Sequence, residues 1–309
     1  MIYDDKKTKD TKAKSKTKQK SLSDKSKKII FSVVGLVLIL AVVAVPLAFS
    51  TASAVRFNTL LGRVVDHAST SKVVTASAIT TANYSSEKIS WGVNPNTREQ
   101  TPEPPANGAA LLEKYGGKFV LDTKEKEVLF TFDLGYEAGY TEAVLDILAK
   151  HNIKGIFFLC GNYLKEEAII NRMLREGHLI GNHTDRHKDL PTLSSDLIAK
   201  DITDFDAKYK AEFVDAAPLV YFRPPKGNFC ERTLVEIQKQ NLTNMMWSIA
   251  IVDWGKDPID GQKSADKITS RLHPGAIILL HITNSGTVDM LEQLIPQMHD
   301  RGYVAASPI

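Results

Sequence analysis

The segment His183-Thr184-Asp185-Arg186-His187 carries the most readable chemistry in this chain. Two histidines four apart, on a helical turn or a tight loop, can turn both imidazoles toward one cation, because positions i and i+4 share a face. Imidazole suits zinc and similar borderline metals. Unrelated histidines produce the same spacing, so the pair gains weight only from its companions. Asp133, in Thr131-Phe132-Asp133-Leu134-Gly135, stands beside a glycine at the end of an apolar run. A carboxylate there can act as general base toward a water held by a metal, although turn and helix-cap aspartates occupy such positions too. Arg223 opens the stretch Arg223-Pro224-Pro225-Lys226-Gly227, whose two prolines stiffen the loop. Its guanidinium is suited to a bidentate partner such as the Asp133 carboxylate. His281 closes the apolar stretch 277–281. A lone histidine there is ordinarily a satisfied core residue, but with Asp253 as partner it becomes a candidate general acid.

These groups occupy equivalent positions in a repeating pattern. From residue 126 onward, apolar runs bounded by turn residues recur at 128–132, 155–159, 178–181, 219–222, 245–251 and 276–280. Most are followed by a segment of helical period, as at 140–151, 166–176, 194–210 and 231–240. Short strands buried on both faces and alternating with helices predict parallel β-strands with crossover helices. Six or seven such units suit a barrel-like α/β fold better than an open sheet, and periodicity alone leaves that choice open. In a barrel the βα-loops gather at one face. Asp133, the His183/His187 pair, Arg223, Asp253 and His281 each follow one of these strands, so the pattern predicts that they converge.

Composition sets the wider frame. The 309 residues are 43% hydrophobic and 24% charged, enough apolar material for a full core. The first 28 residues hold eleven lysines and four aspartates, a local balance of +7; with a chain total of +3, the rest carries −4. A mildly acidic body excludes nucleic acid as an expected partner, because phosphate binding needs a basic stripe on the folded domain. The uncharged run 29–50 is long enough to cross the hydrocarbon core as one helix, which needs about 20 residues. The lysines before it put that end in the cytoplasm. It reads as a retained single-pass anchor, with cleavage at Ala52-Ser53-Ala54 as the alternative. The expected organisation is a basic cytoplasmic tail at 1–28, a transmembrane helix at 29–50, a stalk at 51–87 and an extracytoplasmic domain at 88–309. Within that domain 95–108 reads as an irregular arm. Cys160 and Cys230 read as two small buried thiols; export permits a disulfide, and neither spacing resembles a zinc site.

In order and spacing, five segments resemble the motifs of the polysaccharide deacetylase family (NodB homology, carbohydrate esterase family 4). Residues 131–135 resemble T-F-D-D-G, 183–187 H-[ST]-x-x-H, 223–227 R-x-P-x-G, 250–254 D-x-x-D-W and 278–281 the L-x-L-H ending. The resemblance runs from about Ser90 to the C-terminus. The string 131–141, residues 223–227 with 231–234, and Ser90-Trp91-Gly92 are most similar to the branch that makes muramic δ-lactam in the spore cortex. The resemblance implies a distorted (β/α) barrel and metal-dependent hydrolysis of an N-acetylated sugar. It implies Asp133 as base, His281 as acid, Arg223 orienting Asp133, and Asp253 tuning His281. His183 and His187 would hold a divalent metal, zinc by the donor type. The Lys226 N–H would hold the oxyanion, with Trp254 and Leu279 lining the acetyl pocket. The implied partner is a peptidoglycan glycan strand. Alternatives are N-acetylglucosamine or chitin-type substrates, and a glycan-binding module without catalysis. Two positions depart from the motifs: Leu134 replaces the usual third ligand, an aspartate, which weakens the expected metal site, and Ala250 replaces the first aspartate of the fourth motif.

Overall fold

The computed structural model describes residues 84–255 and 257–308. The expected tail, the expected anchor at 29–50 and all but the end of the expected stalk lie outside the described residues. Among those described, no helix is long and apolar enough to cross a membrane.

The core is a parallel sheet. Its central strand, β2 (Glu127–Leu134), has the sequence EVLFTFDL and is buried from its second residue to its last. Continuous burial is what a strand covered on both faces requires, and here helices supply the cover. Around it stand β3 (Ile156–Leu159), β4 (Leu179–Asn182), β5 (Tyr221–Phe222), β7 (Thr243–Asn244), β8 (Ile249–Ala250) and β9 (Ala276–His281). They run in the order β7-β5-β4-β3-β2-β9-β8, with β10 (Val304–Ala305) also paired to the start of β2. All of these pairings are parallel. The two edge strands, β7 and β8, are consecutive in the chain, joined only by residues 245–248. The five steps from Asn244 to Ile249 reach at most about 18 Å, so the sheet curls until its edges nearly meet. A flat sheet of seven strands spaced about 4.8 Å apart could not be bridged that way.

That link replaces the single strand expected at 245–251. The chain is crossing between edges there, and its donors go to different neighbours. Met245 N donates to Phe222 O, Met246 N to Lys118 O and Ser248 N to Ile277 O. Three partners in three segments leave no ladder for a continuous strand.

The crossover helices are α2 (Thr141–Lys150), α3 (Glu167–Arg175), α4 (Ser195–Glu212), α5 (Glu231–Lys239), α6 (Gly261–Thr269) and α7 (Ser285–Asp300). Helix α2 buries Val144, Leu145, Ile147 and Leu148 on one face. Three begin with side-chain caps: Ser194, Asp260 and Asn284 each accept a backbone N–H from the first turn, satisfying a donor with no intrahelical partner. A short helix, α1 (Ala106–Lys114), starts inside the stretch expected to be irregular, directly after Pro105. Pro105 is its N-cap, and the Pro105 carbonyl accepts the N–H groups of Gly108 and Ala109, a start that the expectation overlooked.

The N-terminal arm is tied to the rim of the sheet. Strand β1 (Ile89–Ser90) pairs antiparallel with β6 (Asn228–Phe229). Trp91 donates its backbone N–H to Gly227 O and its indole N–H to Trp247 O. Ser85 already bonds α5, through Glu231 Oε2 and the N–H of Arg232.

Candidate active site

A cavity of about 890 Å³ opens at the C-terminal ends of the strands. Asp133, His183, His187, Lys226, Trp254, Leu279 and His281 all line it. Arg223 and Asp253 are fully buried behind it. All nine residues singled out in the sequence therefore lie on this rim or immediately beneath it.

Register explains the first pair. Strands β2 and β9 are parallel neighbours, and Asp133 pairs with His281 across them. Both side chains emerge where the ladder ends. Behind Asp133, Arg223 Nη1 donates to Asp133 Oδ1 at 2.8 Å and to Thr131 Oγ1 at 2.9 Å. Its Nε and Nη2 donate to the carbonyls of Met245 and Met246, in the link that crosses between the sheet edges. The guanidinium also lies over the Phe158 ring at 4.2 Å. A buried cation needs such complete pairing. Burial alone would raise the Asp133 carboxyl, but Arg223, with His183 and His281, outweighs it and holds the carboxyl below its usual range. The group is therefore a carboxylate at neutral pH.

His281 is fixed at two points by one carboxylate. Asp253 Oδ1 lies 2.8 Å from His281 Nδ1, and Oδ2 accepts the His281 backbone N–H at 2.7 Å. The Asp253 carbonyl is in turn held by Thr283 Oγ1 and Asn284 Nδ2. Burial depresses the imidazole, yet the hydrogen bond and charge of Asp253, helped by Asp133, raise it above its ordinary value. With Nδ1 bound to Asp253, Nε2 carries the exchangeable proton.

The opposite wall belongs to loops. After β4 the chain makes a tight loop, not a helical turn, with Thr184 at φ 69° and His187 at φ 52°. His183 Nδ1 lies 2.7 Å from Arg223 O and donates to it, so Nε2 is left with a lone pair, 3.5 Å from Asp133 Oδ2. Burial is the main cause that lowers His183, to about 4, and it lowers His187 as well. Both imidazoles are neutral at pH 7, the state a metal ligand requires. The ring centroids are 5.0 Å apart.

Sequence reasoning missed one member of this wall. Cys160 Sγ lies with donor nitrogens of His183 and His187, all within 4.8 Å of one another. Among the described residues these three form the group able to hold a metal ion. Cys160 directly follows β3, so the strand-end rule that selected the other residues would have found it. Both cysteines are free and buried. Burial, then the carboxylates of Asp133, Asp201 and Asp185, push the Cys160 thiol up. The donor set fits a divalent cation, since one imidazole is already fixed by a carbonyl with its second nitrogen free.

The loop wall continues into the Arg223-to-Gly227 corner. Lys226 and Gly227 both adopt left-handed backbone, at φ 61° and 66°. A β-carbon on Gly227 would come within 2.5 Å of the Trp247 ring, so only glycine turns the chain there.

Comparison with known proteins identifies the family. The polysaccharide deacetylase family model matches residues 121–245. The peptidoglycan-N-acetylmuramic acid deacetylase PdaA of Bacillus subtilis is 38% identical over 224 residues, covering 72% of this chain and 84% of the relative. A peptidoglycan-N-acetylglucosamine deacetylase of Bacillus cereus is 35% identical over 206 residues, covering 62% and 70%. The solved structure of Bacillus subtilis PdaA, a family 4 carbohydrate esterase, superposes with a TM-score of 0.67 at 36% identity, covering 72% of this chain and 95% of that one. The chain belongs to the polysaccharide deacetylase family, hydrolases that remove the N-acetyl group of carbohydrates. Its curled parallel sheet with outer helices is the NodB-type (β/α) fold.

Proposed function

We propose that this enzyme hydrolyses the N-acetyl group of N-acetylmuramic acid in peptidoglycan, releasing acetate and leaving an amine whose nitrogen then bonds to the lactyl carboxyl carbon as a C–O bond breaks and water leaves, forming the muramic δ-lactam. The observation that carries the reading is the pairing of an ionised Asp133 with a His281 of raised proton affinity, side by side at the ends of adjacent strands in one cavity wall. Amide hydrolysis needs both, a base for the attacking water and an acid for the departing amine.

Asp133, kept ionised and oriented by Arg223, takes the proton of the water as it attacks the acetamide carbonyl. The Lys226 backbone N–H, held in its left-handed corner, meets the developing oxyanion. His281 then delivers its Nε2 proton to the nitrogen, and Asp253 balances the charge that the imidazole carries beforehand. Leu279, Trp247 and Trp254 give the acetyl methyl an apolar wall. His183 and His187 would hold a divalent cation, zinc by the borderline character of imidazole, and that cation would supply Lewis-acid polarisation of the carbonyl.

Muramic acid as the sugar rests on a cation at the rim. N-acetylmuramic acid differs from N-acetylglucosamine by the carboxylate of its lactyl ether. Lys226 is exposed on the cavity wall, whereas the other basic residue there, Arg186, is engaged with Asp201 at 2.8 Å. The lysine-rich residues 1–28 and the apolar run 29–50 support an anchored, extracytoplasmic position for the domain. The test is acetate release by the purified chain from peptide-stripped glycan strands and from N-acetylglucosamine oligomers. Release from the muramic residues is expected, and Asp133→Asn should reduce it by about 10²–10⁴-fold. Release from the glucosamine oligomers alone would move the substrate to the second sugar. Full activity in Asp133→Asn would remove that residue from the chemistry.

A further inference from the structure

We infer that Cys160 is the third protein ligand of the metal, a thiolate that takes over from the carboxylate absent at Leu134. The inference rests on the reading of the site as a metal-assisted hydrolase and adds to it the ligand set.

Register brings the substitution and its replacement together. Leu134 pairs with Leu159 across β2 and β3, and Cys160 is the next residue, its N–H donating to Leu134 O at 3.0 Å. A ligand lost from the end of one strand is thus offered from the end of its neighbour. Leu134 is buried on the cavity wall and has no lone pair to give. Cys160 Sγ, which lines the same cavity, is within 4.8 Å of donor nitrogens on both histidines. Ligand atoms of a tetrahedral site with bonds of about 2.0–2.3 Å are roughly 3.3–3.8 Å apart. Closing the remaining ångström falls to His187, which is exposed and carried on a loop.

The chemistry is complete without a co-reactant. The Cys160 thiol lies 3.6 Å from His183 O, to which it donates. On coordination the S–H bond breaks, the proton leaves to solvent and the electron pair stays on sulfur as the donor; a divalent cation deprotonates a coordinating thiol outright. Two imidazoles and one thiolate leave the fourth tetrahedral position open, as a catalytic zinc site requires. A sulfur ligand also shifts preference toward thiophilic metals such as zinc, and away from magnesium or manganese, which favour oxygen.

The experiment uses the full chain, stripped with a chelator under reducing conditions and titrated with Co²⁺, then with Zn²⁺. One-to-one binding with a thiolate-to-cobalt charge-transfer band is expected. X-ray absorption of the zinc form should show one sulfur at about 2.3 Å beside nitrogen or oxygen at about 2.0–2.1 Å. Cys160→Ser, close in size, should lose the band and bind at least about 10-fold more weakly, since even losing an outer partner costs that much. Cys160→Asp should lose the band while retaining affinity. Binding without the band or the sulfur shell, unchanged affinity in Cys160→Ser, or no binding at all would overturn the inference. If Cys160→Ser does not fold, the zinc absorption spectrum of the native chain decides alone. Acetate release without sulfur ligation leaves the hydrolase reading standing and removes the thiolate. Sulfur ligation without acetate release from any glycan does the reverse.

Discussion

On one wall of the cavity Asp133 and His281 stand opposite each other in the ladder of β2 and β9, each fixed from behind by a fully buried partner. On the other wall His187 and Lys226 are carried on loops, both in left-handed backbone. The first wall is built from regular structure, and its geometry follows from strand pairing. The second depends on local strain and on the rim contacts that hold it. Proton transfer tolerates little displacement, so the acid and base belong on strands, whereas ligands that must close around a cation or a sugar can sit on loops.

The largest effect should come from breaking the strand wall at Arg223. Arg223→Met leaves the Asp133 carboxylate buried without its partner, which is expected to lower stability by about 3–5 kcal/mol. Urea unfolding measures this, and a loss below 1 kcal/mol would mean that solvent reaches Asp133. Next comes Asp253→Asn. Removing the charge that raises His281 lets burial prevail, so the imidazole pKa falls. The acid form persists below its pKa and is lost above it, so the alkaline limb of kcat/KM should move to lower pH, with kcat down about 10²-fold. An unmoved limb would assign it to another group. The loop wall should yield less: Gly227→Ala, strained at φ 66° and pressed on Trp247, is expected to cost about 1–3 kcal/mol, read as a lower Tm. The smallest effect belongs to Trp254→Ala. At 62% exposure its side chain contributes little to the core, so stability should change by less than about 0.5 kcal/mol while KM for glycan rises. Unchanged KM would remove Trp254 from the glycan surface.

The elements behind the two walls were unequally legible, although the His183/His187 pair on the loop wall was the plainest chemical signal in the chain. Long apolar strands such as 128–132 and 276–280 announced themselves, and with them Asp133 and His281, because a strand buried on both faces is a continuous local signal. The two-residue strand β7 gave no such signal, and β8 was read only as part of a longer strand at 245–251, since each exists only through the neighbour it pairs with. Helices α6 and α7 were not picked out either, although Asp260 and Asn284 are recognisable caps. Cys160 was read as a small buried thiol because it lies 23 and 27 residues from the histidines, and no fixed spacing in the chain expresses that proximity.

By itself the sequence determined the donor types, the alternation of strand and helix, and the rule that reactive groups follow strands, because each of these is set within a few residues along the chain. Tertiary structure alone decided which strand ends meet. Strand pairing sets Cys160 beside Leu134 and His281 beside Asp133, and the crossing link at 245–248 gives Arg223 the carbonyls that secure it. Such contacts join residues tens of positions apart, and only the closing of the sheet brings them within bonding distance.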